Sequence, residues 1–471
     1  MHLDKFYIDG EWVDPIKNQE IDIINPANEI AIGKLNVGTE QDIDKAVSAA
    51  RKAFQKFSVT SVNERLELLT EIRNIFKKRF DEIVDAITTE MGAPIKLSRG
   101  AQAAVGLGHL KTAIRVLENH KFEYEFNGSI IRYEPIGVCG LITPWNWPIN
   151  QTISKLGPCL AAGCTAILKP SEISPLSANI VAEIIHEAKA PAGVFNMVHG
   201  LGPVVGEALS NHEDVDMMSF TGSTRGGIAV AQASAKTVKR VSQELGGKSP
   251  NIILDDSAFE NSVKTGVEKI MENTGQSCNA PTRMLIPRNR QKEALELAKI
   301  VAEGLKTGDP TNEDTDIGPL VSEVQFKKVQ RLIEAGIKEG ADLVTGGLGK
   351  PKELTKGYYV KPTVFGNVEN RMEIAQEEIF GPVLSIIPYD NEEEAIAIAN
   401  DTDYGLSAYI TGEDKDRLRE IGRRVRAGQV HINYGSGGTN APFGGFKQSG
   451  NGREKAEWGL EEFLEIKAIM G

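Results

Sequence analysis

The chain has 471 residues, more than one hydrophobic core ordinarily serves, so we expect two or three domains. With 41% hydrophobic and 25% charged residues, its composition is typical of a globular protein. The formal net charge of −12 argues against a nucleic-acid groove or an anionic membrane surface as the main partner. We find no signal peptide and no uninterrupted apolar stretch of about 18 residues, so no membrane span is expected.

The cysteines and histidines indicate neither a disulfide scaffold nor a metal site. The four cysteines form no CxxC pair, and the seven histidines form no HExxH motif, so a reducing, cytoplasmic setting is expected. Cys139, Cys159 and Cys164 stand in apolar segments, which predicts buried, inert thiols. Cys278 lies in the small, polar segment NTGQSCNAPTR, a context that suits a nucleophile but leaves a structural role open.

The first third of the chain begins with short β-like runs separated by turns. Residues 62–90 carry apolar side chains at spacings of three and four, which predicts one long amphipathic helix facing the core. From residue 136, short apolar runs alternate with helical stretches. The predicted strands are GVCGLIT, CTAILKP, VFNMVHG, DMMSFTG and KRVSQEL, with helices near 149–162, 175–189 and 203–210 and from about 224.

A second series of the same kind follows a turn-rich boundary near 247–250. Its predicted strands are NIILDD, RMLIP, VLSIIPYD, SAYITGE and GQVHIN, with helices near 259–273, 290–305, 391–400 and 413–425. Such alternation predicts βαβ units and two doubly wound parallel-sheet α/β domains. The C-terminal GLEEFLEIKAIMG predicts a short helix and then a strand with no partner nearby in sequence.

Two glycine-rich strings resemble nucleotide-binding motifs but fail on spacing. HGLGPVVG is one residue too long for G-x-G-x-x-G, and LGGKS lacks the earlier glycine of a P-loop, since Ser242 stands there. SFTGSTRGG predicts a strand, a turn and a helix start, where free amides make an anion site, although many loops have this pattern.

Two polar residues follow predicted strands. Glu244 ends a strand and precedes two glycines, so it is either a solvated strand-end carboxylate or a general base. Asn146, in TPWNWPIN, is held between tryptophans and prolines, and it suits either an oxyanion donor or an aromatic turn packed on the core.

Taken together and in this order, the segments resemble the aldehyde dehydrogenase superfamily, over nearly the whole chain from YIDGEWV to FLEIKAI. The strings that carry the resemblance are PWNWP, ILKPSE, SFTGSTRGG, QELGGKSPNII, GQSCNAPTR, QEEIFGPV and NAPFGGFKQSGNGRE. The pair ELGGK and GQSC, with Glu244 and Cys278 34 residues apart, is the most specific feature.

The resemblance implies a three-part fold. A Rossmann-like NAD-binding domain would comprise 1–115 and 136–247, and a catalytic domain 248–450. A small bridging oligomerisation element would comprise 116–135 and 451–471, which implies a homodimer or homotetramer. The family holds the cofactor phosphates without the standard fingerprint, in agreement with the failed G-x-G-x-x-G match.

The resemblance also implies a mechanism. Cys278 would attack the aldehyde carbon, and Asn146 with the backbone N–H of Cys278 would hold the resulting oxyanion. Glu244 would activate the water that hydrolyses the thioester to the carboxylic acid. Family members that transfer the acyl group to coenzyme A generally lack this base, so its presence favours hydrolysis.

The resemblance further assigns residues to the NAD cofactor. Lys169 and Glu172 match a pair at the adenosine ribose, which favours NAD over NADP, and Gln325 is expected to approach the nicotinamide ribose. The expected cofactor-binding residues are Ile142, Trp145, Lys169, Glu172, Gly202, Gly222, Ser223, Gly227, Lys328, Glu378 and Phe380.

The substrate entrance departs from familiar broad-specificity members. Gln151 and Ser154 stand where several of these have bulky apolar groups, and the loop NYGSGGTN is glycine-rich and one residue shorter. A wider, more polar tunnel is therefore expected, and the aldehyde itself is not identified. The alternatives are a thiol hydrolase without redox chemistry, which leaves Lys169, Glu172 and Glu378 unexplained, and a retired binding protein, which would ordinarily have lost a catalytic residue.

Overall fold

The computed structural model describes residues 2–471. Its strands, in chain order, are β1 (Phe6–Ile8), β2 (Glu11–Val13), β3 (Glu20–Asn25), β4 (Ile30–Asn36), β5 (Glu123–Phe126), β6 (Ser129–Pro135), β7 (Val138–Ile142), β8 (Thr165–Lys169), β9 (Phe195–Met197), β10 (Met217–Thr221), β11 (Arg240–Glu244), β12 (Pro250–Ile253), β13 (Arg283–Pro287), β14 (Asp342–Thr345), β15 (Thr363–Gly366), β16 (Val383–Tyr389), β17 (Ser407–Thr411), β18 (Gln429–Ile432), β19 (Gly450–Asn451) and β20 (Leu464–Met470).

Helices separate most of these strands. In chain order they are α1 (Glu40–Phe57), α2 (Val62–Lys78), α3 (Phe80–Met91), α4 (Ile95–Leu97), α5 (Ala104–Asn119), α6 (Pro148–Ala162), α7 (Pro175–Glu187), α8 (Glu207–Asn211), α9 (Thr224–Ser234), α10 (Phe259–Met271), α11 (Gln291–Gly304), α12 (Glu323–Lys338), α13 (Glu373–Gln376), α14 (Glu392–Asn400), α15 (Lys415–Arg424) and α16 (Ala456–Glu461). Among the described residues, no helix is long and apolar enough to cross a membrane.

The first large sheet has the order β19-β11-β10-β7-β8-β9-β1-β2. Its five central strands, β11 to β9 in this order, are parallel, whereas β19, β1 and β2 pair antiparallel at the edges. The chain runs outward from β7 through β8 to β9 and then returns to place β10 on the other side of β7. Such a reversal leaves a crevice beyond the carboxyl ends of β7 and β10, where open α/β sheets bind their ligands.

The second large sheet has the order β14-β15-β16-β13-β12-β17-β18, and all its pairings except β14 with β15 are parallel. The predicted fold class, two parallel-sheet α/β units, is therefore confirmed. One strand crosses the expected division of the chain, since β19 joins the first sheet through Gln243 opposite Asn451. The exact domain boundaries given above stay predictions.

A small third sheet, ordered β20-β6-β5, uses the C-terminus of the chain. The predicted C-terminal strand exists and pairs antiparallel with β6 of the same chain, from Leu464 opposite Pro135 to Met470 opposite Ser129. Within residues 2–471, the outer edge of β20 has no strand beside it.

The prediction of one helix over residues 62–90 was wrong. The chain forms two helices, α2 and α3, and Arg79 lies between them with φ −98° and ψ 16°. Its guanidinium donates to Glu82, Glu183 and Glu187, which holds the break in place. Both helices bury the same face, so the spacing of apolar residues continues through the break. No glycine or proline stands at the break to indicate it in the sequence.

The core follows the predicted apolar pattern. Strands β7, β8 and β10 are buried over their whole lengths, as expected for parallel strands covered by helices on both faces. Cys139, Cys159 and Cys164 are buried and free, which confirms the prediction of interior thiols. Cys278 is also free but is partly exposed.

Candidate active site

The carboxyl ends of four neighbouring parallel strands provide the floor of the candidate site. Ile142, Lys169, Thr221 and Glu244 are the last residues of β7, β8, β10 and β11. Since these strands are parallel, the segments that follow them emerge at one edge of the sheet.

A cavity of about 280 Å³ opens at this edge, between the two large sheets. It is lined by Pro144, Trp145, Asn146, Thr221, Gly222, Ser223, Leu245, Gly246, Cys278, Gln325, Lys328, Glu378 and Phe380. The predicted nucleophile, the predicted oxyanion donor and six of the predicted cofactor residues thus share one space. The rings of Trp145 and Phe380 meet edge to face at 5.4 Å.

Cys278 is presented by a strained loop that follows α10. Asn273 and Thr274 adopt φ 54° and 57°, a region that side chains disfavour. Gly275 has φ 71°, and a Cβ there would lie 2.0 Å from the carbonyl oxygen of Gly381. Only glycine fits at this position, so the GQSC string has a steric reason for its glycine.

Asn146 is tied to the same loop. Its Nδ2 donates to the carbonyl oxygen of Gln276 at 3.1 Å, and its own carbonyl oxygen accepts from Gln102 Nε2 and Asn273 Nδ2, each at 3.1 Å. An amide NH₂ carries two hydrogens, and the bond to Gln276 uses one. The other is left for a ligand in the cavity.

Glu244 lies beside the cavity rather than among its lining residues. It is 2% exposed, and neither of its carboxylate oxygens has a hydrogen-bond partner among residues 2–471. Burial raises the pKa of Glu244 well above its usual value, and the nearby charge of Glu454 raises it further. Burial of a carboxylate without hydrogen-bond partners lowers the stability of the fold. Such unfavourable positions are common among catalytic residues.

Burial also raises the pKa of the Cys278 thiol to about 12, with Glu378 and Glu244 adding to the shift and Lys455 opposing it. At neutral pH the thiol therefore holds its proton until a base removes it. The effect of Glu244 on the thiol places both groups within one electrostatic environment.

The two glycines after Glu244 bring the second sheet close to the thiol. A Cβ at Gly247 would lie 2.3 Å from the carbonyl oxygen of Cys278, and one at Gly246 would lie 2.7 Å from Glu378 Oε2. The backbone N–H of Gly247 donates to Glu378 Oε1 at 2.9 Å. These contacts explain the paired glycines of ELGGK by close approach rather than by turn geometry.

Lys169 and Glu172 form an ion pair at 2.9 Å in the turn after β8. The following helix α7 is fixed by the buried carboxylate of Glu90, which accepts from the backbone N–H of Leu176 at 2.5 Å and of Ser177 at 3.1 Å. The α7 end of the turn that carries the pair is thereby held in place.

The segment after β10 forms the N-terminus of α9. Ser223 caps this helix, and its Oγ accepts from the backbone N–H of Gly226 at 3.2 Å. Gly227 does not line the cavity; a Cβ there would lie 2.6 Å from Leu245, so its glycine allows α9 to pack on the sheet. Ile142 and Gly202 also lie outside the lining. Gly202 opens a π-helical segment, Gly202–Gly206.

A family model described as the aldehyde dehydrogenase family matches residues 12–469. The chain belongs to the aldehyde dehydrogenase family. The resemblance inferred from the sequence and the predicted enzyme class are confirmed by this match.

Relatives within the family are similar over almost the whole chain. A 3-succinoylsemialdehyde-pyridine dehydrogenase from a Pseudomonas species is 53% identical over 468 residues, covering 99% of this chain and 98% of that protein. Among solved structures, a cysteine-to-alanine mutant of aldehyde dehydrogenase C from Pseudomonas syringae, complexed with NAD+ and octanal, is 50% identical with a TM-score of 0.99, covering 100% of this chain and 97% of that one. An aldehyde dehydrogenase from Bartonella henselae is 46% identical with a TM-score of 0.97, covering 99% and 98%.

Several residues that line the cavity of this aldehyde dehydrogenase were not predicted from the sequence. Pro144, Thr221, Leu245 and Gly246 line the cavity together with the predicted residues. Each lies at or within two residues of the carboxyl end of β7, β10 or β11. The rule that ligands bind beyond the carboxyl ends of parallel strands would have found them once the strand order was known.

Proposed function

We propose that the protein oxidises an aldehyde to a carboxylic acid with NAD, through a thioester on Cys278. The observation that carries the proposal is the shared cavity in which Cys278, Asn146 and Glu378 meet at the reversal point of the first sheet. Family membership supports the reaction class, and the cavity supports these residues as its machinery.

The residues around the cavity fit NAD. One oxygen of Glu378 is held by Gly247, and within residues 2–471 its other oxygen accepts no hydrogen bond, as suits a ribose hydroxyl. The N-terminus of α9 offers amides to phosphate, and the Trp145–Phe380 pair offers an aromatic wall to a flat ring. Lys169 and Glu172 would take the adenosine ribose. When bound, NAD supplies the acceptor for the hydride that leaves the substrate carbon.

The first half-reaction begins with proton removal from Cys278. Because burial holds the pKa of its thiol near 12, a base must accept the proton, and Glu244, whose own pKa burial raises, is the better acceptor for that reason. The thiolate sulfur bonds to the aldehyde carbon, and the carbonyl electron pair becomes an oxyanion. The free N–H of Asn146 and the backbone N–H of Cys278 would stabilise it. Loss of hydride then leaves the thioester.

The second half-reaction is hydrolysis. Glu244 first releases to solvent the proton that it took from Cys278. The ionised carboxylate then takes a proton from water, and the resulting hydroxide bonds to the thioester carbon. The C–S bond breaks, the carboxylic acid leaves, and the Cys278 thiolate is restored. The buried carboxylate of Glu244 supports this role, since neither of its oxygens is bonded to another group of the described chain.

The relatives support the substrate class in general terms. The Pseudomonas syringae enzyme was solved with NAD+ and octanal, and the 53% identical relative is named for a semialdehyde. We propose a homodimer or homotetramer in which β20 contributes to the interface. The four free cysteines support a reducing compartment such as the cytoplasm.

Replacement of Cys278 tests the proposal. Cys278→Ala should abolish aldehyde-dependent NADH formation while NAD still binds, because the thiol contacts the reacting carbon and the cofactor is held by other residues. Cys159→Ala, which removes a buried cysteine remote from the cavity, is the matched control and should retain turnover. Substantial NADH formation by Cys278→Ala would mean that another group is the nucleophile. Ester hydrolysis without any NADH formation by the unmodified protein would instead favour a thiol hydrolase.

A further inference from the structure

Lys455 occupies a strained position next to the candidate active site. It adopts φ 73° and is followed by Ala456 at φ 50°, so two consecutive residues with side chains lie in a region that such residues disfavour. A strained pair persists only where the surrounding structure over-determines it, and such pairs cluster at functional sites. The backbone at Lys455 is therefore held in place against its local preference.

The ammonium group of Lys455 has no partner of opposite charge within bonding distance. Its Nζ lies 4.5 Å from the centroid of the Phe443 ring and, among residues 2–471, forms no hydrogen bond or ion pair. The adjacent carboxylate of Glu454 is engaged by Lys155 and by Ser154, whose Oγ donates at 3.2 Å. The amino group is thus half buried, and its neighbouring anion is already used. Burial lowers the pKa of Lys455, and the charges of Glu454, Cys278 and Glu244 oppose this shift.

The surroundings of Lys455 combine a mainly apolar cavity wall with two nearby histidines. Lys455 lines a small cavity with His109 and Ser154, and it acts with burial to lower the pKa values of His109 and His431. The Nε2 atom of His431 is buried and has no hydrogen-bond partner in the described chain. Within residues 2–471, the Lys455 ammonium and His431 Nε2 therefore both lack a hydrogen-bond partner, whereas His109 Nε2 is bonded to Asn150 Oδ1 at 2.7 Å.

This region borders the proposed reaction centre. The Phe443 ring beneath the Lys455 ammonium is followed by Gly444, where a Cβ would lie 2.8 Å from Glu244 Oε1, so Lys455 lies beside a segment that packs on Glu244. In keeping with this position, the charge of Lys455 lowers the pKa values of the Cys278 thiol and of Glu244, against the effect of burial. Tyr409 stacks on His431 with ring centroids 4.6 Å apart and donates from its hydroxyl to the carbonyl oxygen of Asn279, the residue after Cys278. The unpartnered cation and the thiol hence belong to one continuous neighbourhood.

We propose that Lys455 selects aldehydes that carry a carboxylate remote from the carbonyl, that is, ω-oxo acids. The inference rests on the proposed function, with Cys278 as the nucleophile. An anionic substrate would otherwise meet repulsion from Glu244 once that carboxylate is ionised, whereas the charge of Glu454 is offset by Lys155. An ion pair with Lys455 offsets that repulsion and supplies the partner that the amino group lacks. Ser154, predicted from the sequence to make the tunnel more polar, lines the same small cavity, and its hydroxyl donates to Glu454.

A second role for Lys455 predicts a different outcome. If the charge of Lys455 served only to stabilise the Cys278 thiolate, it would raise kcat/KM equally for every aldehyde. If Lys455 binds a substrate carboxylate, it raises kcat/KM for anionic substrates alone. Comparing an acid with its own methyl ester separates these roles, because the two molecules differ in charge but have nearly the same length.

The experiment compares 4-oxobutanoate and 6-oxohexanoate with their methyl esters. For the unmodified enzyme, kcat/KM for at least one acid should exceed that of its ester by about tenfold, the usual size of one hydrogen bond to a charged group. Lys455→Met should bring this ratio to about one or below, and Lys455→Arg should restore part of it. Lys338→Met, which removes an exposed lysine on α12, is the matched control and should leave the ratio intact.

A binding measurement makes the result independent of turnover. Butanoate and hexanoate, which lack the aldehyde, should compete with the acid substrate, and Lys455→Met should weaken this competition about tenfold. Lys455→Met could instead lower kcat/KM equally for acid and ester and shift the pH profile of Cys278 alkylation by iodoacetamide upward. That result would overturn the proposal in favour of thiolate stabilisation. An acid-to-ester ratio of one or less in the unmodified enzyme would also overturn it. Absence of NADH from both substrates would count instead against the proposed function.

Discussion

Asn146 Nδ2 lies 3.1 Å from the carbonyl oxygen of Gln276, two residues before Cys278, and donates a hydrogen bond to it. The bond joins the segment after β7 to the strained loop that presents the thiol. The predicted oxyanion donor and the predicted nucleophile are therefore fixed relative to each other by the protein itself, before any substrate binds. Such preorganisation is what an oxyanion site requires.

Asn146→Ala should lower kcat by about 10²–10³, the usual loss for one oxyanion donor. The remaining N–H of the amide is the group expected to stabilise the developing oxyanion. Steady-state kinetics with a saturating aldehyde would measure the loss. A change confined to KM would show that Asn146 only shapes the pocket.

The bond to Gln276 requires a control, since its loss could displace the thiol. Trp147→Phe removes a second cross-link between the same segments, the 2.8 Å bond from Trp147 Nε1 to Ser277 Oγ, without touching the amide. We expect a loss of less than about tenfold from this variant, in keeping with one ordinary hydrogen bond. A loss as large as that of Asn146→Ala would assign the effect to loop position.

Glu244→Gln should slow thioester hydrolysis by about 10²–10⁴, the contribution of a general base. Hydride transfer should slow less, because a thiol can also lose its proton to solvent, whereas the attacking water depends on the base. Rapid mixing should then show a burst of about one NADH per active subunit, followed by slow turnover. If deacylation keeps the unmodified rate, the base is some other group.

The pH dependence of hydrolysis follows from the same carboxyl group. Because burial raises the pKa of Glu244, the carboxylate that activates water forms only as the pH rises past that elevated value. Deacylation in the unmodified enzyme should therefore increase with pH above the usual glutamate range and level off once Glu244 is ionised. The rising limb should disappear in Glu244→Gln. A limb that persists would belong to another group.

The sequence predicted most strands of the two parallel sheets, because strands buried on both faces carry continuous apolar runs. It did not predict α1, α5, α12, β14 or β15. The break at Arg79 was missed because α2 and α3 bury the same face, so the apolar spacing runs on without interruption. The signal that distinguishes the two helices is an arginine with three carboxylate partners, two of them distant in sequence, on α7.

The site was predictable where family motifs name residues, and less so where position depends on tertiary packing. Gly227 was expected at the cofactor, yet its observed contact is with Leu245, a packing relation that a one-dimensional motif does not distinguish from ligand binding. Lys455 carried no motif at all. The Lys455 ammonium lacks an anionic partner because Glu454 pairs with Lys155, and these two residues are 299 apart in sequence.

The outer edge of β20 should pair with another subunit, because an exposed apolar strand needs a partner. Sedimentation at micromolar concentration should show a dimer or a dimer of dimers. Ile466 is 65% exposed on β20, and Ile466→Glu should weaken association by about tenfold, since a charge replaces buried apolar surface. Ile300→Glu, at a residue 66% exposed on α11, is the matched control. A monomeric unmodified protein would contradict the prediction.

NAD should be preferred over NADP by at least about tenfold in kcat/KM, or roughly 1.4 kcal/mol. Glu172 accepts hydrogen bonds well from a free ribose, but a 2′-phosphate would bring like charge and remove a hydroxyl donor. Lys169, 2.9 Å from Glu172, opposes full discrimination because an ammonium attracts phosphate. Glu172→Ser frees that ammonium and should improve NADP relative to NAD, whereas Glu187→Ser, further along α7, should not. Equal or better use of NADP by the unmodified enzyme would refute the assignment of Glu172, though not the dehydrogenase activity.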